Sequence, residues 1–229
     1  GFVPTMGALH DGHLSLVKEA KKHASFTAMS IFVNRIQFND PGDFEKYPRC
    51  DEQDIDLAEK AGVDLVFLPS NETMYRNPLT FVETSSLDRT LCGASRPGHF
   101  RGVCTVVSKL FNIIQPDVAV FGQKDIQQVR ILEKMVEDLD FPLRIITAPI
   151  IREKDGLAMS SRNVHLTPDQ RSRALSLSRA LGAAQELIEK GETSAETIEA
   201  AARKGIAAGS PDAIDYVSLV DYETLQPIK

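Results

Sequence analysis

Short apolar runs alternate with amphipathic stretches from Gly1 to about Pro149, and this limits the possible folds more than any other feature. Residues 2–5, 26–33, 64–68, 117–121 and 143–149 read as strands, rich in β-branched and apolar side chains. Residues 80–84 read as a possible further short strand. Between them, residues 10–24, 51–61, 102–115 and 125–139 carry helical periodicity, and Gly62 is a natural stop for the second of these. Val103, Val106, Val107, Leu110, Phe111 and Ile114 follow the i, i+3, i+4, i+7 rule, so that helix is expected to be largely buried. Strand–helix alternation at this spacing implies a parallel, doubly wound, Rossmann-like α/β sheet with right-handed crossovers.

Past Ile150 the pattern turns helical. Thr167-Pro168-Asp169-Gln170 combines an N-cap, a first-turn proline and a capping-box glutamine. A second box, Thr193 to Glu196, starts another helix, and residues 214–221 alternate like a strand. These describe a smaller helical or α+β domain over residues 156–229, after a Rossmann-like domain over residues 1–155.

The 229 residues carry a net charge of −6, which argues against a broad nucleic-acid or anionic-membrane surface. Cys50, Cys92 and Cys104 are odd in number and show no paired spacing, as expected of free thiols in a reducing compartment. No run reaches the ~18 apolar residues of a membrane span, and there is no signal peptide. The chain begins without Met, inside or just before a strand, which reads as a missing N-terminal segment.

Four polar constellations interrupt this scaffold. In Pro4-Thr5-Met6-Gly7-Ala8-Leu9-His10-Asp11-Gly12-His13 a strand gives way to a glycine-bearing turn and a helix start, a setting suited to anions. His10 and His13, three apart, can share one helix face. A degraded P-loop competes, since Gly7 to Gly12 fits G-x-x-x-x-G, but His13 and Leu14 replace the required Lys and Ser/Thr. A metal pair lacks the His-Glu-x-x-His pattern. A plain helix cap with two polar histidines remains open.

Gly122-Gln123-Lys124-Asp125 also follows a strand and opens a helix, and would face the first stretch if their strands are neighbours. Met159-Ser160-Ser161-Arg162-Asn163 offers hydroxyls and a guanidinium for a phosphate clamp, as a polar linker also would. Gln37 and Gln128 are neutral amides that can orient a hydroxy acid, and Gln128 is expected one helical turn beyond Lys124 on the same face.

Together the segments PTMGALHDGH, FVNRIQF, RPGHFRGV, FGQKDIQQ and DGLAMSSRN resemble the pantoate–β-alanine ligase (pantothenate synthetase) family, and the likeness runs to VSLVDYETLQPIK. The resemblance implies a Rossmann-like domain, a small C-terminal lid domain, and a cytoplasmic homodimer acting on small molecules only, not on nucleic acid or membrane. It implies that pantoate and Mg-ATP form pantoyl adenylate and pyrophosphate, and that β-alanine then displaces AMP. ATP with Mg²⁺ is the only cofactor implied, with no tightly bound organic group and no protein-held metal. By position, Met6, Gly7, Ala8, Leu9, His10, Asp11, Gly12 and His13 would line ATP. So would Gly122, Gln123, Lys124, Asp125, Ile151, Met159, Ser160, Ser161 and Arg162.

Gln37, Gln128 and Asn34 would bind substrate, with Gln37 also near β-alanine. His13, His10, Lys124 and Arg162 would serve the chemistry. Arg35 stands where the family usually has Pro, and Val164-His165, Gln123 and Ile151 are further departures. Relative to the family the chain lacks an N-terminal segment and a C-terminal tail. A related His-x-Gly-His nucleotidylyltransferase would need more basic residues for a phosphorylated acceptor, and a small aminoacyl-tRNA synthetase would need an anticodon domain. A non-catalytic nucleotide-binding module would not need Lys124, the Ser-Arg stretch and both glutamines together.

Overall fold

The computed structural model describes residues 1–228, which divide into two compact units, Gly1–Ile151 and a second beginning at Arg152. In the first, β1 (Phe2–Thr5), α1 (Asp11–Ala20), β2 (Ala28–Ile31), α2 (Pro41–Lys46), α3 (Asp51–Lys60) and β3 (Leu65–Phe67) follow in order. Two short helices come next, α4 (Asn71–Met74) and α5 (Leu91–Ser95), then the long α6 (His99–Ile114). β4 (Val118–Gly122), α7 (Ile126–Asp138) and β5 (Arg144–Ala148) complete the unit.

The five strands form one parallel sheet in the order β3-β2-β1-β4-β5. The strand order reverses between β1 and β4, and the crevice beyond their carboxyl ends is where open α/β sheets take ligands.

Alternation along each strand feeds two cores. Val3, Met29, Ile31 and Val120 pack with Leu16, Val17 and Ala20 of α1 and Ala58 of α3. Phe2, Ala28, Ala119 and Phe121 pack with α6 and α7. The expected apolar stripe of α6 is the centre of that second core: Val103, Val106, Val107, Leu110 and Phe111 are all buried. Fully burying side chains of this size is worth roughly 1.5–3 kcal/mol each. Gln115, in the left-handed region at φ 53°, ends the helix.

Residues 80–84 are not a strand. Val82 N–H donates to Thr105 Oγ1 of α6 (3.0 Å), so the segment docks on a helix side chain instead of a sheet edge. The first helix also stops sooner than its periodicity suggested, at Ala20 instead of residue 24, because the chain closes through turns at Lys22 and His23.

In the second unit, α8 (Pro168–Glu189) starts at the expected box: Thr167 accepts from Gln170 N and Gln170 from Thr167 N. It packs along α9 (Ala195–Ala207) through small residues, with Ser176, Ala180 and Ala202 buried. A Cβ on Gly205 would stand 3.1 Å from that of Ala180, so the close approach uses the missing side chain. The cap of α9 is Ser194, one residue past Thr193, since Ser194 Oγ accepts from Thr197 N. Residues 214–221 form no strand. Leu219 N–H goes to the Glu199 carboxylate (2.6 Å), and only Val220 bridges, to Pro227. Among the described residues no helix is long and apolar enough to cross a membrane.

Candidate active site

The loop after β1 turns on two residues with positive φ, Gly7 (80°) and Ala8 (50°). A Cβ on Gly7 would lie 2.8 Å from Asp54 Oδ2, so glycine is needed for space as well as conformation. Asp54, on α3 and 1% exposed, accepts Ala8 N–H and Leu9 N–H, both at 2.7 Å. Thr5 Oγ1 accepts Gly7 N–H, His13 Nδ1 accepts His10 N–H, and His10 Nδ1 accepts Gly12 N–H. Five amides expected to face an anion therefore have partners inside the protein. These hydrogen bonds fix the backbone of the loop from within. The opposite loop differs: neither the 3-10 turn Gln123–Asp125 nor α7 has a side-chain cap. Uncapped helix starts keep N–H groups for an anion.

His10 is the N-cap of α1 and His13 its third residue, joined as a reciprocal capping box. Their rings lie 4.1 Å apart, centroid to centroid. Capping, in place of simple helical spacing, sets them side by side. Because each Nδ1 accepts a backbone N–H, each neutral ring carries its proton on Nε2. Burial, then the neighbouring His10 and Lys124 charges, push the His13 pKa down to about 3. His13 is thus a neutral Nε2–H donor at physiological pH. Lys124 is exposed, with Asp125 Oδ2 at 3.5 Å. It sits in the 3-10 turn ahead of α7, so the four-residue phase linking it to Gln128 does not carry through. Gln128 lies in the first turn of α7, half-buried, and its amide makes no hydrogen bond to the other described residues.

Gln37 closes the 3-10 turn Arg35–Gln37 beyond β2. Its Nε2 donates to Met6 Sδ (3.1 Å), which brings the second constellation against the first. Its Oε1 accepts from Asn34 Nδ2 (2.9 Å). Asn34 is 1% exposed and also holds Gly102 O and Tyr75 OH, so it positions Gln37 from beneath. His99 Nδ1–H donates to Gln37 O (2.8 Å). A Cβ on Gly102 would fall 2.6 Å from Gln37 Cα, so α6 supports this turn by direct backbone contact.

Sequence reasoning passed over Asp54, Tyr75, His99 and Gly102 as site residues. One signal was available for Asp54, a carboxylate on the same α3 stripe as buried Ala58.

Ile151 ends the first unit half-buried. In the second, residues 152–158 make a tight turn through Gly156 (φ 97°), with Arg152 bridged to Ala158. Arg171 clamps the turn through Glu153 (2.6 Å) and Asp155 (2.7 Å); it holds the Glu153 carboxyl below its usual range, and the Leu157 N–H followed by Arg171 does the same for Asp155. Met159 and Ser160 follow, both half-buried, and Ser160 Oγ caps the 3-10 helix Ser161–His165 by accepting Arg162 N–H.

The profile of the family described as pantoate-beta-alanine ligase matches residues 1–229. Pantothenate synthetase of Thermoanaerobacter sp. (strain X514) is 56% identical over 229 residues, covering all of this chain and 81% of the relative. That of Moorella thermoacetica is 55% identical over 230 residues, with the same two coverages. The crystal structure of pantothenate synthetase from Thermus thermophilus superposes with a TM-score of 0.96 at 45% identity, over 100% of this chain and 83% of that one. Pantoate-beta-alanine ligase from Francisella tularensis, complexed with beta-gamma ATP and beta-alanine, gives 0.77 at 38% identity, over 90% and 77%. This chain belongs to the pantoate–β-alanine ligase family.

Proposed function

We propose that the chain condenses pantoate with β-alanine in two steps at the crevice between β1 and β4. In the first, a pantoate carboxylate oxygen bonds to the α-phosphorus of ATP as the bond to the β-phosphate oxygen breaks, releasing pyrophosphate. In the second, the β-alanine amine bonds to the acyl carbon, AMP leaves with its phosphate oxygen, and the amine proton goes to solvent. No side chain needs to act as nucleophile, so the protein's part is to position groups and neutralise charge.

The observation that supports this best is the pair of imidazoles, protons on Nε2, at the switch point with Lys124 near enough to His13 to lower its pKa. Imidazole N–H donors suit the α-phosphate, whose equatorial oxygens gain charge at the transition state, while Lys124 suits the departing pyrophosphate. The uncapped amides at Gln123–Asp125 offer a further phosphate contact, and Ser160, Ser161 and Arg162 carry groups a triphosphate takes. Gln37 and Gln128 would orient pantoate. Mg²⁺ would arrive on the nucleotide phosphates, which is its usual manner of binding. A cytoplasmic homodimer belongs to the same reading, and the three free thiols suit a reducing compartment.

Incubating the protein with pantoate, β-alanine and Mg-ATP should give pantothenate and AMP in equal amounts by mass spectrometry. ADP in place of AMP would overturn the adenylate route.

A further inference from the structure

The hydrogen-bond chain beneath Gln37 has a direction. Gly102 O can only accept, so the Asn34 group 3.1 Å from it is the amide nitrogen. That same nitrogen reaches Gln37 at 2.9 Å, so the atom it meets must be Oε1. Asn34 Oδ1 then faces away, and Tyr75 OH fills it at 2.7 Å. Burial pushes the Tyr75 pKa above its usual value, which keeps the hydroxyl protonated and donating. With Oε1 turned to Asn34, the Gln37 NH₂ faces the other way, and one of its hydrogens meets Met6 Sδ at 3.1 Å.

The short helix α4 holds this arrangement at both ends. Asn71 Nδ2 donates to Val33 O (3.3 Å) and Asn71 Oδ1 accepts Arg35 N–H (3.5 Å), while Tyr75 at its other end holds Asn34. The Arg35 contact uses an N–H that a proline at that position would lack.

We infer that Tyr75 is a positioning residue: acting through Asn34 against Gly102 O, it locks the Gln37 amide with its NH₂ toward the ligand, which makes the site select an acceptor oxygen there. The inference rests on the pantoate reading, with the carboxylate or hydroxyl of the hydroxy acid as that acceptor. Without the tyrosine hydroxyl, Asn34 Oδ1 is left buried and unpaired, and the amide pair loses its fixed polarity.

The test is pantoate-dependent exchange of labelled pyrophosphate into ATP by wild type, Tyr75→Phe, Gln37→Ala and the double variant. Tyr75→Phe is expected to raise the pantoate KM about 10-fold and leave the ATP KM within about twofold. On the Gln37→Ala background it should add nothing further. Equal losses toward ATP and pantoate, or an additive effect in the double variant, would mean plain structural damage and overturn the inference. A second arm needs only folded wild type: the Gln37 side-chain NH₂ signals, identified by their loss in Gln37→Ala, should shift when pantoate is added. Unmoved signals would also overturn it. Wild-type exchange indifferent to pantoate would sink the functional reading itself, whereas pantoate-dependent exchange with an unaltered Tyr75→Phe would sink the positioning role alone.

Discussion

His13 carries two constraints at once, since its Nδ1 completes a helix cap and its Nε2–H is left for a ligand. Its pKa of about 3 lies below the ordinary histidine value, so the unfolded chain takes up a proton first as pH falls. Its contribution to stability is therefore complete above about pH 6.5 and is lost progressively down to about pH 3. An NMR titration should find the His13 ring neutral at pH 5, and a midpoint near 6.5 would contradict the geometry. His13→Ala and Lys124→Ala are each expected to cut kcat about 10²-fold or more with the fold intact, as removing one preorganised donor costs ~2.7–4 kcal/mol. Near-normal turnover in either variant would reduce these residues to a helix cap and a surface cation. The sequence exposed both residues through their place after a strand and at a helix start. It did not expose the tautomer, because that depends on which backbone N–H each ring meets.

At the scale of elements, the sheet and the long buried helix were legible because burial imposes a period on the side chains, as in Val103, Val106, Val107 and Leu110 of α6. The two expected strands at residues 80–84 and 214–221 failed for one reason. Alternation specifies a face, but a strand also needs a neighbour, and Thr105 and Glu199 supply side-chain partners instead. The partners of the amides in the first loop were hidden in a similar way, since the carboxylate that takes Ala8 and Leu9 N–H, Asp54, comes from 45 residues beyond Leu9. Asp54→Asn would keep the shape but turn an NH₂ toward Ala8 or Leu9 N–H. It should destabilise the first unit by roughly 1.5–3 kcal/mol in urea denaturation, the range for a hydrogen bond to a charged group. An unchanged midpoint would show that this carboxylate does not anchor the loop.

Across the whole molecule, a parallel sheet in the order β3-β2-β1-β4-β5 sets the imidazole pair, Lys124 and Gln37 on one unit around a single switch point. Family membership, over all of this chain and 81% of the Thermoanaerobacter relative, agrees with the reaction class that such an arrangement can serve. The most direct test of that class isolates the first half-reaction, which needs no amine. Protein, Mg²⁺, ATP and pantoate are mixed without β-alanine, and labelled pyrophosphate is followed into ATP. Exchange that depends on pantoate is the expected result, and it should fall sharply in His13→Ala and Lys124→Ala. Absent exchange while ATP still binds, or ADP appearing in place of exchange, would contradict activation of the acid through an adenylate.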